Sequence, residues 1–163
     1  MTNVGYWVIG LVAVFMLGTF MSARISPREK ALGNMRERAK KMGFIPRLIP
    51  APLWIEHTTY SGKPGGMVAY YSVVLSDATH ALVQALVVDG HLNVLKGEPT
   101  LQGEPISSNL KGIQALEIQS NSAGFYWDEE ADLSGEQLES MKTALISFAD
   151  RMRPKIRSFT SVD

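Results

Sequence analysis

The sequence predicts an α+β fold: an antiparallel sheet of about six strands closed by a C-terminal amphipathic helix, carried behind a transmembrane helix and a basic helix. Three observations predict it. The chain opens on a long uncharged apolar run. Its middle consists of short stretches rich in β-branched and aromatic residues, broken by Gly, Pro and an Asp-Gly pair. Its last third holds one stretch of apolar residues at steps of three and four. A length of 163 residues suits one domain plus one additional segment.

The first element is the run Val4 to Ala23, VGYWVIGLVAVFMLGTFMSA, which contains no charged side chain. At about 1.5 Å per residue its roughly 20 residues reach about 30 Å, the thickness of a hydrocarbon core. Residues 1–25 are therefore predicted to be a single-pass transmembrane anchor, with Tyr6 and Trp7 at one interface. A cleaved signal peptide fits less well. Met1-Thr2-Asn3 has no basic side chain, and Met21-Ser22-Ala23 is a poor cleavage site. Between Arg24 and Arg47 there are eight basic residues and two acidic ones, whereas the rest of the chain has eight basic and fourteen acidic. The positive-inside rule then puts the N-terminus outside and the domain in the cytoplasm, at the inner membrane of a bacterial cell.

The second element, 26–43, is a basic helix beside the membrane. Ser26-Pro27-Arg28-Glu29 combines an N-cap, a proline at the first helical position and a capping box, and Gly43 is a natural stop. Leu32, Met35, Ala39 and Met42 form a thin apolar stripe. Gly33 weakens the helix by about 1 kcal/mol relative to alanine. Arg28, Lys30, Arg36, Arg38, Lys40 and Lys41 are candidates for contact with anionic lipid headgroups. The plainer reading makes them a topology signal on a solvated spacer. No aromatic residues interleave these cations, so a nucleic-acid partner is not expected.

The small domain is predicted over 44–155, with a tail at 156–163. Phe44 to Pro52 carries three prolines and reads as an extended linker or edge segment. Strands are expected at Leu53–Thr59, Met67–Leu75, Ala81–Val88 and His91–Leu95, the last two joined through Asp89-Gly90. Ser61 to Gly66 is a turn, and Gly97 to Lys111 a polar, mobile loop. Gly112–Gln119 and, after a turn at Asn121–Gly124, Phe125–Glu129 complete the strands. Ser134 and Gln137 form a second capping box. The helix behind them shows the stripe Leu138, Met141, Leu145, Phe148 and Met152, and Pro154 ends it.

Little in the chain resembles a reaction centre. There are no cysteines, which excludes disulfides, thiolate metal sites and cysteine nucleophiles. His57, His80 and His91 show no i, i+4 pairing and no accompanying carboxylate motif. No G-x-S-x-G elbow occurs. Gly62-Lys63-Pro64-Gly65-Gly66 has the wrong order for a phosphate loop, and Pro64 removes a donor. Asp128, Glu129, Glu130 and Asp132 lack the spacing of a calcium loop and lie ahead of a helix N-terminus, where acids are favoured. No catalytic, cofactor-binding or metal-binding residue is predicted, and no cofactor. Adjacent aromatics in a strand point to opposite faces, which makes Trp54, Tyr71, Trp127, Asp128, Glu129 and Glu130 the candidate partner surface.

Two resemblances add to this reading. The order of strands followed by one helix, from Leu53 to Met152, resembles the pleckstrin-homology-like superfold, which implies binding rather than catalysis. The short outer tail, single span and Ser26-Pro27-Arg28-Glu29-Lys30 helix start resemble YajC, an accessory subunit of the bacterial preprotein translocase, over Val4 to Met42. That family's Gly-Asp and Gly-Gly strand motifs are absent here. The expected function is a non-catalytic, membrane-tethered interaction module whose partners are the lipid bilayer and another membrane protein or complex. The alternatives are a translocase-type accessory subunit and an enzyme acting on a membrane-proximal substrate.

Overall fold

In the computed structural model the described residues are 3–22, 26–55, 66–76 and 80–153, the side chains of 3 and 20–22 excepted. Helix α1 spans Asn3–Ser22. Its side chains from Val4 to Thr19 are exposed throughout, including Trp7, Leu11 and Phe15. Among the described residues no helix is long and apolar enough to cross a membrane. That finding corrects the expected transmembrane helix in the fold class, the single-pass anchor, the inner-membrane location and the N-outside orientation.

Helix α2, Pro27–Lys41, starts where the sequence places it. The Glu29 N–H donates to Ser26 Oγ at 3.1 Å, and the Ser26 N–H donates to Glu29 Oε2 at 3.2 Å. The helix is not a solvated spacer. Met35 and Ala39 are buried in the main core, and Leu32 and Met42 pack against it. The thin apolar stripe is therefore a docking face for the domain.

Six strands form one open antiparallel sheet in the order β1-β2-β6-β5-β3-β4. They are β1 Phe44–Pro50, β2 Met67–Val74, β3 His80–Val88, β4 His91–Lys96, β5 Ile113–Ser120 and β6 Ser122–Trp127. The register pairs Tyr71 with Phe125 and Ala69 with Trp127, and further along Leu116 with Phe125. Alternation then collects Ala69, Tyr71, Val73, Ala123, Phe125 and Trp127 on the face that α2 and helix α3 cover. Helix α3 runs Leu138–Arg151 and buries Leu138, Met141, Leu145 and Phe148. Leu145→Ala is expected to cost about 2–5 kcal/mol, read as a lower urea midpoint with an unchanged m-value.

The first strand differs from the sequence reading. It is the proline-bearing segment Phe44–Pro50, at the sheet edge, where a missing N–H is tolerated. Leu53 to Ile55 form a turn, and the remainder of the strand expected at Leu53–Thr59 lies outside the described residues, as do the Ser61–Gly65 turn, His57 and the tail. The last strand begins at Ser122, so the connection from β5 is shorter than Asn121–Gly124.

Residues 97–111 are not a mobile loop. They cap the other edge of the sheet. The Leu92 N–H donates to Glu104 O at 2.8 Å, the Gly103 N–H to Leu92 O at 2.8 Å, and the Val94 N–H to Gln102 Oε1 at 2.7 Å. Leu101, Ile106 and Leu110 are buried beneath. The Leu92 N–H and carbonyl and the Val94 N–H on the outer side of β4 are thus occupied, which hinders further strand pairing along this edge.

The cap of α3 also differs. Ser134 does not cap it; the Ser134 hydroxyl donates to Asp132 Oδ1 at 2.7 Å. Asp132 organises the turn instead, accepting from Gly135 N–H at 2.9 Å and Gln137 N–H at 2.8 Å. Burial opposes the Asp132 charge, but the Ser134 hydroxyl and the backbone N–H groups of Gln137, Glu136 and Gly135 together hold its pKa below the ordinary aspartate value. A depressed folded-state pKa contributes stability above the unfolded value, about 3.9, and the contribution disappears as the pH falls through the folded value. Asp132→Asn is expected to reduce stability at pH 7 and to flatten the acid limb of the stability profile below about pH 4, as measured by urea denaturation across pH.

Candidate functional site

Between the first half of α2 and the adjoining end of the sheet lies a cavity of about 220 Å³. Leu48 on β1 and Met67, Val68 and Ala69 on β2 supply its apolar lining. Trp127, the last residue of β6, and Gln114 on β5 also line it. Arg28 and Leu32 overhang it from α2, and the acidic turn after β6 contributes Asp128, Glu129 and Glu130. A space this small suits a fragment-sized group and is too small for a dinucleotide or other large cofactor.

The charges around it are mostly paired. Arg36 Nε and Nη2 reach the two oxygens of Glu129 at 2.8 and 2.5 Å, a bidentate contact. Glu129 is 8 % exposed and also accepts from the Tyr71 hydroxyl at 2.7 Å. The hydrogen-bonded carboxylate holds the Arg36 pKa above its ordinary range against opposing burial. Burial first, then the bond to Glu129, raise the Tyr71 pKa well above that of a free phenol. Arg28 forms an ion pair with Glu130. Asp128 accepts from the Glu130 N–H at 2.9 Å. Burial pushes its pKa above the ordinary value, with the Glu129 charge adding to the rise and Arg28 opposing it.

Three buried side-chain polar atoms lack partners among the described residues: Trp127 Nε1, Gln114 Oε1 and His80 Nε2, the last on a residue that does not line the cavity. Trp127 is 1 % exposed, its indole being packed edge-on against Tyr71 at 5.2 Å. Both its Nε1 and Gln114 Oε1 are buried without a hydrogen-bond partner among the described residues. Buried polar groups are nearly always satisfied, so two residues lining one cavity that each carry an unmatched buried polar atom set this place apart.

The predicted site residues divide between the two faces. Tyr71, Trp127, Asp128, Glu129 and Glu130 gather at or beside the cavity, together with Arg28 and Arg36. Trp54 lies on the opposite face, edge-on to Tyr126 at 5.4 Å. Lys30, Arg38, Lys40 and Lys41 are exposed; Lys41 pairs with Glu37, and Arg38 reaches Ser134 O. Residues 26–43 pack on the sheet rather than standing free of it. Gln114 was not among the predicted residues. It stands one position from Ile113 and Ala115, both buried; the register irregularity between Ile113 and Ala115 is invisible in the sequence.

The opposite face holds a second polar cluster. Glu117, buried, accepts from Gln84 Nε2 at 2.9 Å and from the Tyr126 hydroxyl at 2.9 Å. Tyr70 stacks on Tyr126 at 4.6 Å and lies over Gly124, where a Cβ would meet its ring at 2.5 Å. This cluster is satisfied internally. His80 and His91 bond to Ser120 O and Asp89 O, and no three metal-ligating side chains gather among the described residues. No protein-family model, curated protein or solved structure matches this chain.

Proposed function

We propose that the chain is a non-catalytic interaction module, and that the cavity beneath α2 is where it receives its partner. The observation that supports this most is that two residues lining one apolar-floored cavity, Trp127 and Gln114, each carry a buried polar atom with no partner among the described residues. A few convergent polar groups in an apolar hollow are what binding sites share. The acidic turn does not form a nucleophile–base pair: Glu129 is held by Arg36 and Tyr71, and Glu130 by Arg28. These pairings fix the cavity wall and leave those two carboxylates poorly placed for proton transfer. A binding role is also what the pleckstrin-homology-like resemblance implies.

The test is site-specific photocrosslinking in the cells that produce the protein. A benzophenone amino acid in place of Leu48, half-exposed at the cavity rim, is expected to give one discrete adduct. The same group in place of Leu95, on the far edge strand, is expected to give none. Equal labelling from both positions, or no adduct from Leu48, would overturn the proposal.

A further inference from the structure

We propose that the first half of α2, from Pro27 to Leu32, is a flap over the cavity and that Gly33 is its hinge. The flap gates the cavity assigned above to the partner. Its role therefore rests on the interaction-module reading, whereas its test needs no partner.

The two halves of α2 are held by different amounts. Beyond Gly33 the helix is fixed at several points. Met35 and Ala39 are buried in the main core. Arg36 makes its two bonds to Glu129. Arg38 Nη1 donates to Ser134 O at 3.4 Å, and Lys142 Nζ on α3 donates to Met42 O at 2.7 Å. Ahead of Gly33 no side chain is buried: residues 26–30 are exposed, and Ala31 and Leu32 are half-buried. Leu32 packs against the edge of the core. The Arg28–Glu130 ion pair is the printed polar tie of this half to the sheet domain, and its side chains are 58 % and 49 % exposed. Pairs of that kind hold weakly. The first turn is nevertheless a well-formed helix by itself, because Ser26 and Glu29 close the capping box within it. It can lift as a unit.

Gly33 stands at the boundary between the two halves. Only proline is a poorer helix former than glycine, and no crowding requires glycine here, since a Cβ at Gly33 would have nothing within 4 Å. Its backbone is helical, a conformation open to any residue. What glycine supplies at this point is easy departure from that conformation, and a hinge must absorb such a change in φ and ψ. The two α2 residues in the cavity lining, Arg28 and Leu32, both belong to the loosely held half. Bending at Gly33 takes both off the cavity while the second half keeps its place on the sheet.

The chain has no cysteine, so thiols introduced one at a time report opening at chosen places. Ala69→Cys puts a thiol in the cavity lining, at a position 5 % exposed. Ala39→Cys puts one beneath the second half of α2, at a fully buried position. Modification of the full chain by iodoacetamide under native conditions is expected to be faster at position 69 than at position 39. Adding Gly33→Ala is expected to slow modification at position 69 about fivefold and to leave position 39 unchanged. Adding Glu130→Gln, which keeps the size of the side chain and removes the ion pair, is expected to speed it about twofold at position 69. Equal responses at the two positions would mean that α2 moves as a whole, and an unchanged rate at position 69 in Gly33→Ala would mean that the glycine is no hinge. Either result overturns the proposal.

A second measurement requires no substitution. Relaxation dispersion on the backbone amides of the unaltered chain is expected to show one shared microsecond-to-millisecond exchange process over residues 28–33 and none over residues 35–41. Exchange common to both stretches, or absent from both, would also overturn the flap. The two proposals fail separately. A Leu48 adduct together with a failed hinge test keeps the interaction module and removes the flap. A hinge that passes without any Leu48 adduct keeps the flap and removes the module.

Discussion

Glu129→Ala is expected to destabilise the domain by about 3 kcal/mol, the range for removing one partner of a buried ion pair, reduced because Arg36 is partly exposed. The substitution removes the acceptor for two Arg36 nitrogens and for the Tyr71 hydroxyl. Arg36 can turn outward and recover water. Tyr71 cannot, because it is fully buried, and an unmatched hydroxyl there costs about 1–3 kcal/mol. The Tyr71 hydroxyl also lies 3.3 Å from Met35 Sδ, a weak acceptor that cannot replace a carboxylate. Glu129→Gln retains one acceptor oxygen and is expected to lose about half as much. Urea denaturation followed by tryptophan fluorescence measures both. If the two variants lost the same amount, the charge would be the whole effect and the Tyr71 bond none of it.

Gly97→Ala is the second large effect expected, about 3 kcal/mol or more. Gly97 has φ +102°, and a Cβ there would lie 2.3 Å from the Leu82 carbonyl oxygen and 3.1 Å from Val83 Cα. Both obstacles are backbone atoms of the neighbouring strand β3, so no rotamer change relieves them. Gly90→Ala separates the contributions. Gly90 has φ +77° in the β3–β4 turn, with nothing within 4 Å of the added carbon. Its cost should be only that of the left-handed backbone, about 1 kcal/mol. Thermal unfolding of the two variants side by side tests the contrast, and similar losses would show that conformation, not collision, dominates at Gly97.

Local rules made several elements legible. Ser26-Pro27-Arg28-Glu29 and the α3 stripe each specify a helix without help from the rest of the chain. Asp89-Gly90 specifies a hairpin, and both residues take positive φ there. Elements that depend on distant parts of the chain were harder to read. The proline-bearing β1 is a strand only because β2 offers it a partner. The 97–111 segment is ordered because β4 presents an unfilled edge to it.

The site was half legible for the same reason. Aromatics and acids at the end of β6 stand out, but their partners come from α2, about a hundred residues away. Counting charges marked Arg28 and Arg36 with all the other cations. Their spacing held more information: Arg28, Leu32, Arg36 and Ala39 follow at steps of four, four and three, which places both arginines on the flank of the apolar stripe. Lys30 and Lys41 are off that line and exposed. The assignment of Gln114 to the cavity needed the irregular register between β5 and β6, which no local pattern encodes.

The two helices on the sheet are fastened by different means. Helix α3 is held by a row of large apolar side chains, whereas α2 is held by Met35, Ala39 and two arginine–carboxylate clasps. Salt does not screen apolar contacts, and of the two clasps the exposed Arg28–Glu130 pair weakens as ions screen it, while the partly buried Arg36–Glu129 pair is screened less. Helix α2 is therefore the more salt-sensitive of the two. Its amide protons should exchange with solvent ahead of those of α3, and sooner still in molar salt. The cavity has this layer for a roof, so access to it is controlled by the fastening that ions loosen first.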